Sequence, residues 1–334
     1  MKVELEMKTK LIVQINKMLT RRSNKALEVA KKEILEEKRE SKEINEAFKY
    51  YAKSWRDVVH PGLVSIACEA VGGESDDTTD IQVAMLLLTA GFDVHDDIID
   101  ESMTKIGKPT LYAKFGKNIA LLVGDAFLMK ALILLRELGK HLPPEKMDAI
   151  WNIIEELFFE LGDAEALETS LKSNVDISAE EGLQMIKMKS ATFEAHMRIG
   201  AIVGGGEQTV VDALGHLGRI LGILINMREE FVDVFEAEEL QSRFKNECLP
   251  LPILYAFKNK QTKKVLMAHL SKQKITDDDA EKIVEIVTEE KTGEMFRNEI
   301  KRLAQEANSI TANVPNENAM PHLELLVMGL IEDL

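Results

Sequence analysis

The chain has 334 residues, a formal net charge of −15 and only two cysteines, Cys68 and Cys248. So acidic a chain argues against a nucleic-acid partner, because phosphate binding needs clustered Lys and Arg. Two distant cysteines cannot build a disulfide framework or a zinc site, which is typical of a reducing cytosol.

The N-terminal segment MKVELEMKTK lacks the apolar core of a signal peptide. The most membrane-like run, IALLVGDAFLMKALILL, is interrupted by Asp125 and Lys130, so we do not expect it to span a bilayer. These features predict a cytoplasmic protein without a transmembrane segment.

Helix-forming residues dominate the chain, aromatic residues make up only 5%, and no β-branched stretch alternates with period two. Several helices have little polar surface, which places them inside a bundle. Gly- and Pro-containing breaks between them are too short for linkers, so we predict one all-α domain over residues 1–334. In chain order, the predicted segments are an amphipathic stretch at 24–56, an apolar helix from Pro61 to Val71, a helix from about Asp80 to the aspartates near 100, helices near 118–138, 144–162, 178–202 and 207–235, and shorter helices to the C-terminus.

Two acidic triplets share the spacing i, i+1, i+4, and each ends a strongly apolar helix. Residues at i and i+4 lie on one helix face. With 57 acidic residues in 334, such a triplet arises about once or twice by chance, so a single one can be a solvated helix end. The first triplet is Asp96, Asp97 and Asp100, and the second is Glu229, Glu230 and Asp233.

Two carboxylate triplets facing one another would be unstable without cations. All-oxygen ligands favour hard ions, and Mg²⁺ takes one or two carboxylates with water and substrate phosphate completing its shell. The pattern therefore predicts a Mg²⁺–diphosphate ligand.

The chain resembles the trans-isoprenyl diphosphate synthases. The motifs DDIID, GKPT, LLVGDAFL and KMKSATFEAH and the second acidic triplet occur in the order found in that family. The resemblance implies an all-helical fold of the isoprenoid synthase type with a central apolar cavity. It also implies Mg²⁺-assisted ionisation of an allylic prenyl diphosphate by a homodimer, or by a heteromer with another synthase subunit.

The resemblance also implies roles for single residues. It makes both triplets metal ligands, with Asp96, Asp97 and Lys189 catalytic. Lys105 and Lys189 would contact the allylic diphosphate, although either can be an ordinary surface lysine. Four residues fall at substrate-contact positions besides Lys189: Lys105, Phe92, Thr89 and Asn226. Phe92, one turn before Asp96, would limit the depth of the hydrocarbon pocket, or it packs in the core.

Family members bind a second substrate, isopentenyl diphosphate, through basic residues that this chain lacks. KSWRDVVHP stands where Gly-Gly-Lys-Arg-x-Arg-Pro is usual, and the second triplet has Glu for Asp twice and Asn226 for Gln. Either this half of the site is lost, or Lys53, Arg56 and His60 rebuild it. Neutral or acidic residues at the usual cationic or donor positions are Asp57, Val58, Thr89 and Ile106.

Three functions agree with this combination of retained and altered family motifs. The first is an enzyme that ionises an allylic diphosphate and passes the prenyl cation to an acceptor other than isopentenyl diphosphate, or rearranges it. The second is an ordinary chain-elongating farnesyl- or geranylgeranyl-type synthase. The third is a non-catalytic subunit of a heteromeric synthase.

Overall fold

The computed structural model describes residues 2–105 and 107–332, with side chains at 10–105, 107–289, 291 and 293–330. This part of the chain is mostly helical and has two strands of two residues each, which confirms the all-α prediction. Its helices are α1 Lys2–Leu35, α2 Lys42–Ser54, α3 Val59–Ala70, α4 Thr79–Ile99, α5 Leu111–Phe115, α6 Lys117–Leu138, α7 Pro144–Leu171, α8 Ala179–Lys189, α9 Ala191–Val203, α10 Gln208–Asp233, α11 Ala237–Asn246, α12 Leu251–Phe257, α13 Lys260–Leu270, α14 Asp277–Thr288, α15 Glu290–Thr311 and α16 Met320–Glu332, with a 3₁₀ helix at Ser75–Thr78.

A small hairpin follows the first acidic triplet. Strands β1 (Thr104–Lys105) and β2 (Lys108–Pro109) pair antiparallel, with Lys105 opposite Lys108. The turn contains Gly107 at φ 67°, a left-handed conformation that glycine adopts without strain. Lys108 and Pro109 form strand β2, so Gly107 lies in the turn of the hairpin, while Ile106 lies outside the described residues.

Several helix bounds differ from the predicted ones. The stretch at 24–56 is two helices, and α2 begins after Ser41, whose hydroxyl accepts from Ile44 N at 3.3 Å. The segment at 178–202 is broken at Ser190 into α8 and α9. Pro252 lies in the first turn of α12, where its missing N–H costs nothing.

The described residues divide into two compact units. The first comprises Met1–Glu156, Thr192–Gly218 and Val314–Leu323, and the second comprises Leu157–Ala191, Arg219–Asn313 and Glu324–Leu334. The first acidic triplet belongs to the first unit and the second triplet to the second unit. The single domain over 1–334 stays a prediction.

The core of the first unit is built around α4, whose buried residues include Leu86, Leu87 and Leu88. Because α4 is apolar on most faces, it is covered on several sides. Helices α4 and α6 approach closely at two glycines: a Cβ at Gly91 would lie 2.5 Å from Leu128 Cδ2, and one at Gly124 would lie 2.5 Å from the His95 ring. This packing holds the C-terminal end of α4, where the aspartates lie.

The second unit has its own core, to which α12 contributes Leu251, Ile253 and Leu254. Capping boxes begin two of its helices. Ser178 exchanges hydrogen bonds with Glu181 at the start of α8, and Thr276 does so with Asp279 at the start of α14. These local signals fix where α8 and α14 begin.

Helices α6 and α10 are long and apolar enough to cross a membrane by length and composition alone. Within the most apolar 18-residue stretch of each helix, 33% is buried in the protein for α6 and 61% for α10. The core helix of a water-soluble protein passes the same test, so this is weak evidence for a membrane span.

Candidate functional site

The first acidic triplet lies at the C-terminal end of α4. Asp100 caps the helix, and its N–H donates to Asp96 O at 2.9 Å. Carboxylates are unfavourable there, because the C-terminal end of a helix carries partial negative charge. Burial raises the pKa of Asp97 to about 7, against the opposing charge of Lys105. Burial and the helix C-terminus therefore both disfavour the ionised carboxylates at this end of α4.

Lys105, predicted to contact a diphosphate, lies beside the triplet. Its Nζ is 3.6 Å from Asp93 Oδ1 and 3.7 Å from Asp97 Oδ1. Asp93 and then Asp97 hold the pKa of Lys105 above its ordinary value, so the ammonium stays charged. No motif indicated Asp93 as a site residue, although it lies one turn before Asp97 on the same face of α4.

Tyr51 is a second residue near these carboxylates that no sequence motif indicated. Burial, and then the charges of Asp93 and Asp57, raise the pKa of its phenol well above the usual value. Its ring packs 4.9 Å from Phe127 and 5.3 Å from Trp55, measured between centroids. Aromatic side chains of α2 and α6 thus lie next to the carboxylates of α4, and no motif indicated this.

Thr89 and Phe92 precede the triplet on α4. The Thr89 hydroxyl donates to Met85 O at 3.0 Å, and the residue is buried. Phe92 is half-buried, one turn before Asp96. Their substrate-contact roles stay predictions, as does the apolar cavity they would border.

Asp57 lies in the loop before α3 and satisfies the beginning of that helix. Its Oδ1 accepts from Val59 N at 3.1 Å and from His60 N at 3.2 Å, while Oδ2 lies 2.8 Å from His60 Nδ1. Burial acts to raise the pKa of Asp57, but the charge and hydrogen bond of His60 outweigh it and keep that pKa below its ordinary value. Asp57 is therefore an ionised carboxylate fixed at a helix N-terminus.

His60 packs against two aromatic rings of α9. Its ring centroid lies 4.7 Å from that of Phe193 and 4.8 Å from that of His196. His196 is fully buried, and its Nδ1 donates to Thr192 O at 2.5 Å. Burial, and then the charge of His60, lower the pKa of His196 to about 3. His196 is thus a neutral ring within this packed group.

The second acidic triplet, at the end of α10, is bound to an arginine. Arg243 of α11 donates from Nε to Asp233 Oδ2 at 3.1 Å and from Nη2 to the same oxygen at 2.9 Å. Its Nη2 also lies 3.4 Å from Glu230 Oε1, and its Nη1 lies 3.3 Å from Glu247 Oε2. Leu251 N donates to Glu230 Oε2 at 2.6 Å. No sequence signal indicated Arg243.

Burial raises the pKa of Glu230 to about 7, although Arg243 opposes the shift. Glu229, the third member of this triplet, is exposed. The triplet thus combines one exposed carboxylate with two that bind a guanidinium group.

Lys189 and Asn226, two predicted substrate contacts, have partners within the second unit. Lys189 Nζ lies 3.2 Å from Glu165 Oε1 and also binds Glu168 Oε2, both from α7. Asn226 Nδ2 donates to Gly222 O at 3.0 Å and to Ser190 Oγ at 3.2 Å. Their roles toward a substrate stay predictions.

Among the described residues, no three His, Cys, Asp or Glu side chains are gathered as a metal site. The crowded carboxylates at the end of α4 nevertheless fit a hard cation, since Mg²⁺ completes its shell with water and phosphate. Asp96, Asp97 and Asp100 would hold it there. The carboxylates of Glu230 and Asp233 fit poorly, because Arg243 and Leu251 N bind the same oxygens.

Known proteins with similar sequences are prenyl diphosphate synthases. A short chain isoprenyl diphosphate synthase of Methanothermobacter thermautotrophicus is 28% identical over 182 residues, 54% of this chain and 55% of that protein. A geranylgeranyl diphosphate synthase of Methanosarcina mazei is 26% identical over 208 residues, 62% of this chain and 64% of that protein. The chain thus spans between half and two thirds of the length of these relatives.

Solved structures share the fold. The geranylgeranyl pyrophosphate synthetase of Pyrococcus horikoshii superposes with a TM-score of 0.83 at 23% identity, over 96% of this chain and 98% of that one. A polyprenyl synthetase of Streptomyces coelicolor superposes with a TM-score of 0.81 at 19% identity, over 95% and 99% of the two chains. Both support the predicted isoprenoid synthase type of fold.

Residues 41–287 match the Polyprenyl synthetase family, and this match covers more than half of the chain. The names of these relatives are those of prenyl diphosphate synthases, so the predicted family is confirmed. The motifs, the helical fold and the sequence match agree, and the chain belongs to the polyprenyl synthetase family.

Proposed function

We propose that this protein ionises an allylic prenyl diphosphate and transfers or rearranges the prenyl cation, with an acceptor other than isopentenyl diphosphate. The observation that carries the proposal is Asp57, an ionised carboxylate that occupies the N-terminus of α3 and binds His60. By resemblance, this loop stands where the family places cations for its second diphosphate.

The allylic half of the reaction is assigned to the end of α4. Asp96, Asp97 and Asp100 would hold Mg²⁺, which when bound neutralises charge on the leaving diphosphate. Lys105 keeps its proton beside Asp93 and Asp97, so its ammonium can stabilise negative charge that develops on the leaving oxygens. Phe92 and the apolar face of α4 would exclude water from the hydrocarbon chain.

The isopentenyl half of the site lacks the cations and hydrogen-bond donors that a second diphosphate needs. A diphosphate has about three negative charges and requires several cations or donors to leave water. Asp57 already takes two backbone N–H groups and His60, and its charge would repel such a ligand. Each lost charge-assisted hydrogen bond is worth roughly 1.5–3 kcal/mol, so three losses weaken binding about a thousandfold or more.

The names of the relatives favour a second candidate, the ordinary chain-elongating synthase. In that case Lys53, Arg56 or His60 would bind isopentenyl diphosphate in a rearranged loop. His60 lies against Phe193 and bonds Asp57, so this requires the Asp57–His60 contact to open.

The deciding experiment is a calorimetric titration of isopentenyl diphosphate into the wild-type protein with Mg²⁺ and an inert allylic analogue. We expect no binding at micromolar concentration, while the allylic analogue binds. Asp57→Asn removes the repelling charge and should improve any residual isopentenyl affinity. Micromolar binding to the wild type would instead support the chain-elongating synthase.

A second experiment tests the allylic half by diphosphate release from C5 to C20 allylic substrates without isopentenyl diphosphate. We expect metal-dependent release by the wild type and none by Asp96→Ala, with the fold intact or slightly stabilised because like charges are removed. No release by the wild type with any substrate would support the non-catalytic subunit. Unchanged release by Asp96→Ala would contradict the role of Asp96.

A further inference from the structure

The second acidic triplet binds a cation of the protein itself, the guanidinium group of Arg243. The Arg243 guanidinium is nearly buried, with a side-chain exposure of 12%, and it contacts Asp233, Glu230 and Glu247 within 3.4 Å. An arginine cannot lose its charge at any ordinary pH, so burial requires carboxylate partners. The triplet supplies two of these partners.

Three carboxylate oxygens of the second triplet already accept hydrogen bonds from the protein. Asp233 Oδ2 accepts two N–H groups of Arg243, and Glu230 accepts from Arg243 at one oxygen and from Leu251 N at the other. Glu247 is similarly shared, since Ser242 Oγ donates to its Oε1 at 3.2 Å. A divalent ion bound by Glu230 and Asp233 would displace the guanidinium from two of its three carboxylate partners and leave it buried beside Glu247, which is unfavourable.

We propose that Arg243 takes the place of a metal ion in the second acidic triplet, so that Glu230 and Asp233 are structural and the chain binds divalent metal at the first triplet only. The Arg243 cluster, meaning Arg243 with Glu230, Asp233 and Glu247, then ties the end of α10 to α11 and to the start of α12 without metal. The assignment rests on the proposed function only in taking the first triplet as a metal site.

The test is titration of the full-length protein with Mn²⁺, followed by electron paramagnetic resonance, with an inert allylic diphosphate analogue present. Glu230→Gln and Asp233→Asn should bind the same number of ions as the wild type with affinity within about twofold, because neither side chain is a metal ligand in this assignment. Both should have a lower melting temperature than the wild type without metal. Loss of a bound ion in either variant would overturn the assignment.

Arg243→Ala is the complementary variant, since it leaves three carboxylates without their cation. We expect it to bind one additional Mn²⁺ per chain and to regain melting temperature when Mn²⁺ is added, a gain absent from the wild type. An unchanged ion count in folded Arg243→Ala would contradict the replacement. If this variant does not fold, Glu230→Gln and Asp233→Asn decide alone.

Asp96→Asn separates this assignment from the proposed function. Its Mn²⁺ affinity should fall at least about tenfold through loss of a ligand. Unchanged Mn²⁺ binding in Asp96→Asn would refute the first triplet as the metal site. The assignment of Arg243 would still be judged by the variants of its own cluster.

Discussion

At the scale of single residues, several charged side chains of the candidate site have a partner of opposite charge. Asp57 binds His60, Lys105 lies between Asp93 and Asp97, and Arg243 binds Glu230 and Asp233. Burying an ion is costly, and removing one partner of a buried pair leaves an uncompensated charge. A metal that binds one of these carboxylates therefore has to compete with its present partner.

His196 predicts how stability depends on pH. Its folded pKa of about 3 lies below the ordinary value of 6.5, so the unfolded chain binds a proton that the folded chain does not. Its contribution is complete above pH 6.5 and is lost as the pH falls toward 3. The loss is about 1.4 kcal/mol of unfolding free energy per pH unit within that window.

Unfolding of wild type and His196→Gln should be compared between pH 5 and 7. The wild type should lose more stability on acidification than the variant, whatever their stabilities at pH 7. The other titrating groups are common to both proteins and cancel in the difference. Parallel pH profiles would show that His196 accepts a proton in the folded state.

At the scale of elements, α3 and α9 approach so closely that a side chain does not fit between them. A Cβ at Gly200 would lie 2.2 Å from Val64 O, a backbone atom that cannot move aside. This approach places His196 of α9 against His60 of α3. A small residue on α9 therefore determines the position of the Asp57–His60 contact.

Gly200→Ala should accordingly destabilise the protein by about 1–3 kcal/mol or more, through overpacking. Gly162→Ala is the matched control, since Gly162 lies exposed within α7 and nothing would touch its Cβ. That change should stabilise by up to about 1 kcal/mol through helix propensity. Melting temperatures that shift in opposite directions would support overpacking between α3 and α9. Equal shifts in the two variants would contradict it.

The capping box of α14 gives another prediction at this scale. Thr276 Oγ1 accepts from Asp279 N at 3.3 Å and donates to Asp279 Oδ2 at 2.8 Å. Thr276→Ala should cost about 1 kcal/mol of stability, as for other N-caps. Thr288→Ala, exposed at the end of the same helix, should change stability by less than about 0.5 kcal/mol in denaturant titrations.

At the scale of the whole molecule, α6 has an uncovered apolar face. Leu122, Met129 and Ile133 are 50%, 58% and 39% exposed, and their spacing places them on one side of the helix. Such surface is typical of permanent subunit interfaces. Together with the family resemblance, it supports the predicted dimer over a monomer.

Sedimentation at micromolar concentration should therefore give a dimer of this chain, or of this chain with another synthase subunit when both are present. Leu122→Glu combined with Met129→Glu should shift it to a monomer, because the charges would be buried at the interface. Val13→Glu with Val265→Glu adds the same charge on other helices and should leave the dimer unchanged. A monomeric wild type would refute the prediction.

The helical class and the first acidic triplet could be predicted from the sequence. Helix periodicity acts over one or two turns, so the spacing of Asp96, Asp97 and Asp100 already placed them together at the end of an apolar helix. Lys105 follows in the short hairpin after this helix, and the order of motifs indicated the family. Even Asp93 obeys this local rule, and it could have been found one turn before Asp97.

Only the tertiary structure decided which partners those charges have. Arg243 lies in another helix from Asp233, and His196 lies far along the chain from Asp57, so no spacing rule links them. Contacts between helices depend on how both helices pack and turn, which local propensity does not specify. The sequence therefore indicated two carboxylate triplets of the same spacing, and packing placed a lysine beside the first and bound the second to an arginine.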